Sequence, residues 1–111
     1  MENTRIQKLL NFLQEDGNDP FLLYALATEY NNLGDVDLAL KYYEDLVQNH
    51  PNYVGTYYHL GKLYLKLNKD EKGIAVLQNG MKVAREIRDN HAFNELQSAY
   101  NQAAGLDYED D

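Results

Sequence analysis

Apolar side chains fall at helical intervals along most of this chain, and polar residues suited to helix ends punctuate them. Ile6, Leu9, Leu10 and Leu13 sit at i, i+3, i+4 and i+7, one stripe of a helix over residues 4–15. Asn3 is the cap available to it. Asp16-Gly17-Asn18 ends it, because glycine readily takes the left-handed conformation that closes a helix. Asp19-Pro20 opens a second helix with a buried stripe of Leu23, Leu26, Ala27 and Tyr30, and Gly34 stops it. Asp35 caps a third, which carries Leu38, Ala39, Tyr42, Tyr43, Leu46 and Val47. It closes at His50-Pro51, since the residue before proline disfavours the helical region. A fourth helix is predicted from Asn52 or Tyr53 to Leu67. Asp70 caps a fifth, with Ile74, Val76, Leu77, Met81, Val83 and Ala84, which continues to about Ile87. Asp89 or Asn90 caps a sixth, and Gly105 ends it.

Inside this pattern lies a repeat. Leu23, Tyr24, Leu26, Ala27, Tyr30 and Leu33 recur 34 residues later as Tyr57, Tyr58, Leu60, Gly61, Tyr64 and Leu67. Asn68 stands where Gly34 stood, and asparagine tolerates the same left-handed turn. Beyond the second copy the frame slips. Phe93, Leu96 and Tyr100 follow Tyr57, Leu60 and Tyr64 by 36, so two extra residues lie in the preceding helix or turn. At the other end, Ile6, Leu9, Phe12 and Leu13 precede Leu40, Tyr43, Leu46 and Val47 by 34. The first helix therefore takes the register of the second member of a pair. The expected organisation is an N-terminal half-repeat helix (1–18), a first repeat (19–52), a second repeat (53–87), a C-terminal capping helix (88–105) and an acidic tail (106–111). Such a period predicts an all-α stack of antiparallel helix pairs, with half-repeats covering its ends.

Composition narrows the function classes. Hydrophobic residues at 44% and charged residues at 25%, with only 2 prolines, describe an ordinary folded protein. The absence of cysteine excludes disulfides, thiol catalysis and thiolate metal sites. No apolar run approaches the length of a membrane span, and the N-terminus lacks a basic start followed by an apolar stretch; the expectation is a cytoplasmic protein that engages no membrane. The net charge of −8 is segregated: −6 over residues 1–53, +4 over 54–88 and −6 over 89–111. That balance argues against a nucleic-acid partner, yet a basic middle attracts acidic peptide locally.

The repeated residues resemble the tetratricopeptide repeat, whose pattern is W-x2-L-G-x2-Y, then A-x3-F, then P. The matching positions are Leu23, Leu26, Ala27, Tyr30, Ala39, Tyr43 and Pro51 in the first copy. In the second they are Tyr57, Leu60, Gly61, Tyr64, Gly73, Leu77 and Arg85. Arg85 departs from the proline, so the fifth helix is not halted there. Gly73 and Gly80 each forfeit about 1 kcal/mol of helix propensity relative to alanine, and close helix contact is the compensation expected. Gln97 fills the small position in the final half-repeat.

The resemblance implies a right-handed superhelical solenoid of about six helices whose concave side is lined by the first helix of each pair. It implies a non-catalytic protein–protein interaction module. The groove positions carried over are Phe21, Tyr24, Thr28, Asn31 and Asn32 in the first repeat, and Gly55, Tyr58, Lys62, Leu65 and Lys66 in the second. In the last helix they are His91, Asn94, Ser98, Asn101 and Gln102. Amides and hydroxyls suit an extended peptide backbone, and tyrosines offer amphipathic contact area. Lys62 and Lys66, one turn apart, suit a carboxylate, so the groove is expected to favour acidic segments. Some relatives grip chaperone tails with a lysine and an asparagine one turn apart in the first repeat; Tyr24 and Thr28 stand there, so that clamp is absent.

The alternative reading is a self-associating scaffold, a weak homo-oligomer. Open ends with Phe12, Phe93 or Tyr100 exposed, or the tail residues Asp107–Asp111 reaching Lys62 and Lys66 of a neighbour, would build it. Catalysis finds no support. His50, His59 and His91 have no close metal spacing, and the paired carboxylates sit at helix ends, where capping and solubility explain them. No catalytic residue, metal or cofactor is expected. The stripe Lys82, Arg85 and Arg88 lies beside Glu86 and Asp89 on a second helix, an outer position.

Overall fold

A computed structural model describes residues 4–105 of the chain. Among them are six α-helices and no strand: α1 (Thr4–Glu15), α2 (Pro20–Leu33), α3 (Val36–Asn49), α4 (Gly55–Lys66), α5 (Asp70–Glu86) and α6 (Asn90–Ala103). Asn3 and the acidic tail, 106–111, lie outside the described residues. Contacts divide the chain into two compact units, Met1–His50 and Pro51–Asp111.

In the first unit α2 and α3 form an antiparallel pair. Asp19 accepts from the Phe21 amide at 2.9 Å, satisfying one of the donors that a helix start leaves free, and Pro20 fits the first turn. Gly34, at φ 85°, closes α2 in the left-handed conformation while the Asp35 amide returns to the Tyr30 carbonyl at 2.9 Å. Asp35 then caps α3 through the Leu38 amide. Ala27 and Ala39 are wholly buried, and their small side chains let the two helices approach. Helix α1 lies on α2 through Ile6 and Leu9, which cluster with Leu22, Ala25 and Leu26. An Arg5–Glu29 ion pair at 2.8 Å joins the same two helices. His50 Nε2 lies 3.0 Å from Asn18 Oδ1 and ties the end of α3 to the α1–α2 loop.

In the second unit α4 pairs with α5, and α6 packs against both. Helix α4 starts later than the sequence predicts. Residues 51–54 form tight turns, with the Thr56 and Tyr57 amides bonded to the Tyr53 and Val54 carbonyls. Val54, at the cap position, has no side chain able to accept from a free amide, so nothing nucleates an earlier start. Nor does Asp70 cap α5. The cap position belongs to Lys69, and Asp70 with Glu71 falls in the first turn, where negative charge suits the helix dipole. Helices α5 and α6 are separate: Arg88 takes φ 62°, the Asp89 amide bonds the Ala84 carbonyl, and the Asp89 carboxylate caps α6 through the Ala92 amide. The fold is an all-α helical repeat built from antiparallel pairs.

Glycine makes the α4–α5–α6 contacts possible. A Cβ on Gly61 would stand 2.7 Å from Leu77, and one on Gly73 would stand 2.8 Å from Leu65 and 3.0 Å from the Gly61 carbonyl oxygen. A Cβ on Gly80 would stand 2.5 Å from the Tyr57 Cβ and 3.1 Å from Leu96. These distances supply the close contact that offsets the poor helix propensity of Gly73 and Gly80.

Candidate functional site

In the first unit the predicted groove residues all lie on α2. Phe21 and Asn32 are exposed, and Tyr24, Thr28 and Asn31 are half-buried. The helix period that puts Leu22, Leu23 and Leu26 inward leaves these positions turned outward to different degrees. Two of them are already engaged. Tyr24 meets the Tyr43 ring edge-on at 6.4 Å, and the Thr28 hydroxyl is 3.1 Å from the Tyr43 hydroxyl. Burial pushes the Tyr43 phenol above its ordinary value, while the Thr28 hydrogen bond pulls it back, so the phenol stays protonated at neutral pH. This end of α2 serves its own α3 first, and Phe21, Asn31 and Asn32 are its freer residues.

In the second unit the predicted residues lie on α4 and α6. Lys62 and Lys66 are exposed one turn apart, and neither is held by a carboxylate among the described residues. The Lys62 ammonium lies 6.0 Å from the centroid of the Tyr58 ring. Leu65 is half-buried because it covers Gly73. On α6, Asn94 and Ser98 are exposed and Asn101 is half-buried.

Sequence reasoning maps His59 to or near the groove as an ordinary surface histidine, and it does not assign Glu95. His59, one position beyond Tyr58, meets the Tyr58 ring edge-on at 5.6 Å. Burial pushes its imidazole below the ordinary value, while the Glu95 carboxylate on α6 pulls it upward. Glu95 in turn lies 4.0 Å from His91. The signal for Glu95 was present: in the 36-residue frame it matches His59.

The outer basic stripe is partly consumed within the fold. The Arg85 guanidinium covers the Phe93 ring at 4.8 Å, and Gln78 Nε2 donates to the Tyr100 hydroxyl at 3.2 Å. No group of three or more histidine or acidic side chains suited to a metal ion occurs among the described residues.

A tetratricopeptide repeat model matches residues 20–63 and another matches residues 54–86. A solution NMR structure of a tetratricopeptide repeat domain protein from Salinibacter ruber is 43% identical, covers 84% of this chain and 94% of its own, and has a TM-score of 0.76. A crystal structure of the tetratricopeptide repeat domain protein from that organism is 45% identical, with 80% and 100% coverage and a TM-score of 0.76. The chain belongs to the tetratricopeptide repeat family. Repeats of this family mediate protein–protein interaction, and the fold is typically a non-catalytic interaction or scaffold module. No curated protein matches the chain. No helix among the described residues is long and apolar enough to cross a membrane.

Proposed function

We propose that this protein binds an acidic segment of a partner protein along the α4–α6 face. The observation that carries the reading is the pair Lys62 and Lys66, exposed on adjacent turns and unmatched by any carboxylate among the described residues. Two cations held about 6 Å apart suit two acidic residues of an extended segment. Tyr58 adds flat amphipathic area beside them, and the amides and hydroxyl of Asn94, Ser98 and Asn101 suit a peptide backbone. Within the first unit, considered by itself, Phe21, Asn31 and Asn32 on α2 are the groove residues left to contact a partner.

The test is fluorescence anisotropy with a labelled peptide, Gly-Glu-Glu-Tyr-Glu-Glu-Gly. The Lys62→Ala/Lys66→Ala variant is expected to bind it roughly tenfold more weakly, and with a flatter dependence on salt. Unchanged affinity and salt dependence would overturn the proposal. Self-association is the second reading, favoured by Phe12 at 57% exposed and Phe21 at 58%. Light scattering at several concentrations tests it: a mass that rises with concentration supports a scaffold, and a constant monomer mass removes it.

A further inference from the structure

We propose that Glu95 makes this face read the order of charges, so that it fits a segment acidic in one half and basic in the other. The inference rests on the peptide-binding reading above and specifies its partner. Polar and charged side chains follow one another along α4, and α6, which packs against it, carries the next. Lys66 and Lys62 stand one turn apart, Lys62 lies over Tyr58 at 6.0 Å, and Tyr58 meets His59 at 5.6 Å. His59 lies within the field of Glu95, whose carboxylate is 4.0 Å from His91. The line is positive at one end and negative at the other.

Glu95 is available to a ligand. Its side chain is 54% exposed, and no lysine or arginine pairs with it among the described residues. A wholly acidic segment that crosses from Lys66 to Glu95 therefore meets like charge at its far end. A segment that places a lysine or arginine there gains a second ion pair. Helix geometry sets the shortest spacing. Lys66 lies about 12 Å along α4 from Tyr58 at the usual ~1.5 Å rise, and an extended peptide covers that in roughly four residues. Glu95 lies beyond Tyr58 on α6, so about four residues is the least separation between the acidic and basic halves.

Two labelled peptides test this. One is Glu-Glu-Gly-Ser-Gly-Ser-Lys-Lys, and the other ends in Glu-Glu instead of Lys-Lys; both are acetylated and amidated. The wild-type protein is expected to prefer the mixed peptide by roughly threefold to fivefold, the scale of one exposed ion pair. Glu95→Lys is expected to reverse the preference. Glu86→Lys on α5 changes the net charge equally and is expected to leave the preference in place. A ratio unmoved by Glu95→Lys, or moved as far by Glu86→Lys, overturns the charge-order inference. If Lys62→Ala/Lys66→Ala still weakens both peptides, peptide binding on this face stands without it. If neither peptide binds the wild-type protein, both fall.

Discussion

The two full repeats share a template and fill it differently. At positions 34 residues apart, the first has Leu23 and Leu46, and the second has Tyr57 and Gly80. The larger side chains in each set are almost wholly buried, with Leu23 at 2% and Tyr57 at 1%. Ala27, Ala39 and Tyr43 of the first answer to Gly61, Gly73 and Leu77 of the second, which is smaller at all three. The exchange of size is confined to one facing pair, where the enlargement from Leu23 to Tyr57 is met by the reduction from Leu46 to Gly80. Tyr57 needs Gly80 because a Cβ there would stand 2.5 Å from its own. Interiors packed near crystalline density tolerate exchange of volume between neighbours far better than its addition. At this pair the larger residue and the smaller one are matched across the two helices.

The largest expected effect comes from breaking that match. Gly80→Leu alone makes one position of the second repeat like the first and overpacks it against Tyr57 and Leu96. We expect a loss of about 3 kcal/mol, enough to lower Tm by more than ~10 °C. Gly80→Ala adds only the Cβ and is expected to lose about 1 kcal/mol. Tyr57→Leu combined with Gly80→Leu is not expected to restore stability, because leucine keeps the Cβ at position 57 and forfeits the hydrogen bond that the Tyr57 hydroxyl donates to the Pro51 carbonyl at 2.6 Å. Thermal unfolding followed by circular dichroism measures all three. A Gly80→Ala variant as stable as the wild type would refute the close approach of α4 and α5 at this pair.

The comparison also shows what the sequence could disclose. Helical period, the capping residues Asp19, Asp35 and Asp89, and the 34-residue frame placed all six helices, since each depends on local chemistry. The start of α4 escaped because nothing at Val54 marks it, and the turn at Arg88 escaped because arginine gives no sign of a left-handed backbone. Lys62 and Lys66 were legible from spacing. Glu95 was legible only as the 36-residue counterpart of His59; its role comes from His59 on another helix. Tyr24 and Thr28 look alike as surface positions in sequence, and only coordinates reveal that Tyr43 engages both.

The turns inside the pairs sharpen the comparison at smaller scale. Gly34 and Asn68 occupy matching positions with φ of 85° and 63°. A Cβ on Gly34 would meet nothing within 4 Å, so Gly34→Ala isolates backbone strain, expected at about 1 kcal/mol. Asn68→Gly relieves the same strain and is expected to stabilise by several tenths of a kcal/mol, the asparagine penalty being smaller. Urea titration measures both through the midpoint at constant slope. Equal effects of the same sign would remove backbone conformation as the cause.

The smallest expected effect concerns an ionisable group that the first repeat lacks. His59 matches Ala25 there. Burial holds the His59 imidazole below its ordinary value of 6.5, and the group acting against this is Glu95 on α6; the buried face of α5, with Gly73, Leu77, Gly80, Val83 and Ala84, has no ionisable side chain. Between the folded value and 6.5 the unfolded chain binds more protons than the native one, so stability rises with pH across that window. The neutral ring contributes fully above the ordinary value, and the contribution is lost as pH falls through the folded value. Wild-type Tm is therefore expected to fall more than that of His59→Gln between pH 7.5 and pH 5, by a few degrees at most. Glu95→Gln removes the upward pull, lowers the imidazole value further and is expected to steepen the decline, provided His59 is present. Parallel pH profiles for wild type and His59→Gln would show that desolvation of this ring does not couple to folding, and Ala25 and His59 would then be interchangeable within the repeat.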